Sequence, residues 1–212
     1  MASPLKVEFQ FDFGSPNAYL AEFAIPAIEK RTGVKFEYVP VLLGGIYKAT
    51  NNMSPFESLR GIKNKPEYQA LETQRFIRRH NITKFKPNPF FPVNTLTLMR
   101  GVVAAQFENL LEPYFRAAYH HMWEEPKKMD DLETFRNAFI SSGIDIDRLI
   151  ARAQQDDVKK GLIDRTTDAV NRGAFGSPTF FVGKEMFFGK DQLRDVEASI
   201  VEQTSQPVSK TA

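Results

Sequence analysis

A chain of 212 residues, 42% hydrophobic and 25% charged, is long enough to bury a substantial core and has an ordinary globular composition. Its 28 Lys+Arg against 26 Asp+Glu leave a net charge of +2, without the basic excess of a nucleic-acid binder, so no nucleic-acid partner is expected. No run of 18 apolar residues could span a membrane, and the absence of cysteine excludes a disulfide framework and thiolate metal ligands.

From Lys6 to Phe13 polar and apolar residues alternate, the signature of a half-buried strand. Gly14 breaks it, and Ser15-Pro16 suits the N-cap and first position of a helix. That helix is expected over 16–31, bent or divided by Pro26, with Thr32-Gly33 as its stop and a second strand over 34–39. Strand, helix and strand in this order imply parallel pairing through a right-handed crossover. From Pro40 to about Pro66, Gly, Asn, Ser and Pro predict a long loop.

Helical spacing then dominates to Arg172. Helices are expected over 66–80, 94–107, 110–123, 130–141, 146–154 and 156–172. Pro87, Pro89 and Pro92 make the stretch between the first two extended and irregular. Gly173 closes the last of them. Residues 177–182 and 185–188, joined by Gly183-Lys184, read as a β-hairpin. Gly189-Lys190-Asp191 opens a final helix to about Glu202, and the polar residues beyond it suit a frayed end. The N-terminal MASPLK leads at once into the first strand, with no room for a signal peptide, so the chain reads as cytoplasmic.

The order is βαβ, about a hundred helical residues, then ββα. The two flanks complete one sheet, an α/β fold of thioredoxin type with an all-helical insertion. The division expected is 1–65 with 173–205 as the thioredoxin-like domain, 66–172 as the inserted helical domain and 206–212 as a flexible tail. Where such a fold carries Cys-x-x-Cys, this chain has Ser15 and Ala18. It cannot exchange disulfides, yet it keeps a helix start suited to a thiolate, so the sulfur would come from outside, as glutathione.

Five segments carry a specific resemblance: FDFGSPNAYL (11–20), VLLGGIYKATNN (41–52), KPEY (65–68), FFPVNTLTLMR (90–100) and GAFGSPTFFVGKEMFFGKDQL (173–193). Together they resemble the 2-hydroxychromene-2-carboxylate isomerases, which group with kappa-class glutathione transferases in the DsbA-like thioredoxin superfamily. FPVNTL favours the isomerase branch. The resemblance implies glutathione as cofactor, a small aromatic carboxylate substrate, a role in aromatic hydrocarbon catabolism and a homodimer. A kappa-like transferase and a non-catalytic glutathione-binding module are the alternatives.

The resemblance also implies roles for particular residues. Ser15 would hydrogen-bond the glutathione thiolate; as a nucleophile it would lack a His-Asp partner set, and its ordinary role is an N-cap. Ser177-Pro178, with a cis proline, would turn the Ser177 N–H and C=O outward to pair with the tripeptide as an added strand. Gly189, Lys190 and Asp191 would hold the γ-glutamyl end, where Asp191 also suits a helix first turn. Asn52 and Lys65 would add polar contacts, with ordinary loop surface as the alternative. Lys48 and Asn94 would meet the organic acid, although Asn94 also suits a helix cap. Phe90, Phe91 and Trp123 could line an aromatic pocket, but core packing is the commoner role. His80, His120 and His121 lack metal-ligand spacing, and no metal is expected.

Overall fold

The computed structural model describes residues 5–205, so the tail expected at 206–212 lies outside it. In chain order the elements are β1 (Val7–Phe11), α1 (Pro16–Glu22), α2 (Ile25–Thr32), β2 (Phe36–Pro40), α3 (Leu43–Thr50), α4 (Pro55–Ser58) and α5 (Lys65–Arg79). There follow α6 (Leu96–Phe107), α7 (Leu111–Trp123), α8 (Leu132–Ser141), α9 (Ile146–Ala153) and α10 (Asp156–Asn171). The chain closes with β3 (Thr179–Val182), β4 (Glu185–Phe188), a 3-10 turn (Lys190–Gln192) and α11 (Leu193–Ser205).

The four strands form one sheet in the order β2-β1-β3-β4. β1 runs parallel to β2 and antiparallel to β3, which places Phe9 between Tyr38 and Phe180. Phe9, Phe11 and Phe180 enter the same apolar cluster as Val102, Tyr114 and Phe115 from α6 and α7. Sheet and helices therefore share one core. Aromatic edges lock it: Phe11 meets Phe115 at 5.2 Å and Phe13 meets Tyr119 at 4.9 Å between ring centres.

Alternation in β1 predicted a half-buried strand, but all five of its residues are buried. The polar face is covered from the end of α10. There Arg172 bonds Glu8 at 2.8 Å and lays its guanidinium 3.7 Å over the Phe181 ring. Lys6 takes the other Glu8 oxygen at 2.9 Å. These partners make burial of the carboxylate tolerable and hold its pKa below the usual range against the desolvation that would raise it.

The helix expected over 16–31 is divided, as Pro26 required. The break falls at residues 23–24, because proline is tolerated in the first turn of α2. The loop expected over 40–66 is corrected: it contains α3 and α4. Gly44 and Gly45 lower helix propensity, but Ile46 is buried against Val41, Ala169 and Ala174, and this packing outweighs propensity. Ser54 caps α4 by accepting the Glu57 amide. α6 begins at Leu96, two residues later than expected, after a cis Phe91-Pro92 bond that nothing in the sequence announced. Among the described residues no helix is long and apolar enough to cross a membrane.

Candidate functional site

The site forms where β1 ends and α1 begins. Ser15 is the N-cap of α1, in extended conformation, and is only 4% exposed. Its Oγ accepts the Ala18 amide at 3.1 Å and donates to the Ser177 carbonyl at 2.8 Å. A buried hydroxyl requires such partners. The Ser177-Pro178 bond is cis, as the resemblance implied. The Ser177 carbonyl, expected to face outward, accepts the Ser15 hydroxyl proton with one of its two lone pairs. The Ser177 Oγ in turn accepts the Asp12 amide at 3.2 Å, which ties the residue to the end of β1.

Pro178 links this centre to the last helix, since its carbonyl accepts the Gly189 amide at 2.9 Å. Gly189 has φ +92°, a conformation that favours glycine. Lys190 is buried, its ammonium held by the two Asp191 carboxylate oxygens at 2.6 and 2.8 Å and lying 4.8 Å from the centre of the Phe76 ring. Lys190, expected to hold the γ-glutamyl end, is thus paired within the fold, and its exposed partner is Asp191 with 62% of its side chain accessible.

Asn52 follows α3 and bridges to the loop before Ser177. Its Nδ2 donates to the Phe175 carbonyl at 2.8 Å and its Oδ1 accepts the Met53 amide at 2.8 Å. Lys48 on α3 and Lys65 at the start of α5 are exposed. Asn94 is placed as a turn residue, its Oδ1 accepting the Leu96 amide at 3.0 Å beside the N-cap Thr95. Trp123 is core, with Nε1 donating to the Phe13 carbonyl at 2.7 Å. Phe91 packs against it at 6.2 Å, whereas Phe90 is exposed. Ser15, Ser177, Pro178 and Gly189 are therefore joined directly, and Asn52 joins them through the 173–178 loop.

Sequence reasoning missed Asp12. It is fully buried three residues before Ser15. Its Oδ1 accepts the Gly14 amide at 2.8 Å, and its Oδ2 accepts the Leu43 amide at 2.7 Å and the Thr95 hydroxyl at 3.0 Å. Burial pushes its pKa up, and the three donors oppose that push. The available signal was an acid between two phenylalanines where the alternating strand meets the helix start. No group of three or more His, Asp or Glu among the described residues is placed to hold a metal ion.

Residues 6–201 match the family model described as a DSBA-like thioredoxin domain. A 2-hydroxychromene-2-carboxylate isomerase of Sphingobium xenophagum is 28% identical over 200 residues, which are 92% of this chain and 98% of that protein. A glutathione s-transferase kappa 2 of Caenorhabditis elegans is 25% identical over 95% of this chain and 94% of its own. A solved 2-hydroxychromene-2-carboxylate isomerase superposes with a TM-score of 0.76 at 25% identity, covering 97% of this chain and 99% of that one.

Proposed function

The chain belongs to the DSBA-like thioredoxin domain family, and from that premise we propose that it is a glutathione-dependent isomerase. Its substrates would be 2-hydroxychromene-2-carboxylate and the open trans-o-hydroxybenzylidenepyruvate. The similarity to enzymes of that name over nearly the whole chain supports this choice. The observation that carries it is the Ser15 hydroxyl set against the carbonyl before a cis proline, in a protein without cysteine.

These residues fit the tripeptide. A hydroxyl and a backbone carbonyl stand side by side, suited to a thiol and a peptide N–H, and the exposed Asp191 carboxylate suits an ammonium group. Asn52 and Lys65 would add polar contacts, and Gly189 and Lys190 would shape the γ-glutamyl end. When bound, glutathione supplies a thiolate that adds reversibly to the conjugated double bond, so that rotation about a single bond becomes possible. Ser15 would turn its proton toward the sulfur and favour the ionised form by a charge-assisted hydrogen bond. Lys48 and Asn94 would orient the carboxylate and carbonyl of the organic acid. The working unit would be a cytoplasmic homodimer.

The test is absorbance-monitored interconversion of the two isomers with and without glutathione. Turnover that requires glutathione supports the proposal. Release of a stable glutathione adduct would replace it with a transferase, the second reading, favoured by the kappa-class similarity.

A further inference from the structure

The Asp12 carboxylate stands where the starts of three helices meet. It accepts from Gly14, next to the N-cap of α1, from Leu43, the first residue of α3, and from Thr95, the N-cap of α6. Neither α3 nor α6 receives a side-chain cap from its own N-cap residue. Leu42 has no polar atom with which to cap α3, and the Thr95 hydroxyl is turned to Asp12 instead. One carboxylate thus caps α3 from outside and ties that helix start to the turn before α1 and to the Thr95 hydroxyl at the start of α6. All three contacts donate to it, so an amide in its place would bring N–H against N–H or force a rearrangement.

The segments so joined carry the proposed site. Ser15 follows Gly14, Lys48 lies on α3, and Asn94 precedes Thr95. The geometry points to Asp12 as a positioning residue, whose carboxylate holds the segments bearing Lys48 and Asn94 in register with Ser15. Asp12 itself is buried away from solvent and acts only through these three donors. The roles of Lys48 and Asn94 in this inference rest on the function proposed above, whereas the anchoring does not.

The experiment compares the full chain with Asp12→Asn, Thr95→Val and Thr95→Ser by amide hydrogen exchange. Asp12→Asn is expected to speed exchange by about tenfold or more in residues 42–50 and 94–99 together, leaving 179–188 as in the wild type. Thr95→Val should speed 94–99, and Thr95→Ser, which keeps the hydroxyl, should recover most of that change. Should Asp12→Asn not fold, the Thr95 pair decides. In turnover, Asp12→Asn should raise KM for 2-hydroxychromene-2-carboxylate about tenfold while glutathione affinity, read by calorimetry, moves less than about threefold. A merely structural role would lower Tm and the active fraction without moving KM. Exchange changes confined to residues 10–15, equal exchange in Thr95→Val and wild type, or an unmoved KM would overturn the inference. A wild type that binds glutathione but does not turn over the chromene acid would sink the isomerase reading alone, and the exchange data would still decide the anchoring.

Discussion

Ser15 and Ser177, 162 positions apart, are held together by a 2.8 Å hydrogen bond from the Ser15 hydroxyl to the Ser177 carbonyl. The Ser15 hydroxyl oxygen also accepts the Ala18 amide, so Ser15 is at once a helix cap, a clasp between the turn after β1 and the turn before β3, and the proposed hydrogen-bond donor to the thiolate. Ser15→Ala should lower stability by about 1 kcal/mol through the lost cap. Under the proposed reaction it should lower turnover roughly 10- to 150-fold, the value of a hydrogen bond to a charged group. Urea unfolding and glutathione-dependent kinetics separate the two effects, and full activity in a folded variant would remove Ser15 from the chemistry.

The buried histidine of α7 makes stability depend on pH. His121 Nδ1 lies 3.0 Å from the Lys127 ammonium and Nε2 lies 3.0 Å from the Ser142 hydroxyl, an arrangement that fits the neutral ring. Burial first, and then the nearby Lys127 and His120, bring its pKa down to about 4. The unfolded chain, with a histidine pKa of about 6.5, takes up a proton that the folded chain refuses. The contribution is complete above about pH 6.5 and is lost as pH falls toward 4. Between pH 7.5 and 4.5 the wild type should lose about 1–2 kcal/mol more than His121→Gln, allowing for partial screening. Parallel urea midpoints for the two proteins would contradict this.

Gly101 on α6 lies under the Tyr114 ring, and a methyl group there would overlap the phenol, which donates to the Leu98 carbonyl at 2.9 Å. Gly101→Ala should destabilise by about 2–3 kcal/mol through overpacking. Tyr114→Phe alone should cost about 1 kcal/mol. Combined, the two should cost less than their sum, because the second change removes part of the clash. Additive denaturation energies would show that the helices separate to accept the methyl.

The chain holds one tryptophan, and it touches the site loop. Trp123 donates to the Phe13 carbonyl two residues before Ser15, and its indole stacks on Phe85 at 5.9 Å. Titration with glutathione should change its emission saturably, and Ser15→Ala should weaken that response. Binding seen by calorimetry with unchanged emission would mean that the 13–15 turn does not respond to the ligand.

The legible parts were those governed by neighbours in sequence. Alternation marked β1, Ser15-Pro16 marked the start of α1, and Gly183-Lys184 marked the hairpin turn. The resemblance supplied the cis Ser177-Pro178 bond. What escaped depends on distant partners. α3 looked like loop because its glycines are weak helix formers, while its support comes from Asp12, 31 residues earlier, and from Ala169 and Ala174. The buried polar face of β1 was hidden because Arg172 reaches Glu8 across 164 residues. The burial of Lys190 was hidden because Phe76, 114 positions earlier, lies against its ammonium.

β1 completes its pairing only with β3, which begins at Thr179, near the far end of the chain. A ribosome making about 5–20 residues each second needs roughly 8–30 s to pass from Ser15 to Ser177. Throughout that interval the nascent protein carries the hydroxyl without the carbonyl that receives it. Under the proposed reaction, a product cut short before Ser177 would lack half of the clasp at the site and would be born inert rather than half-active.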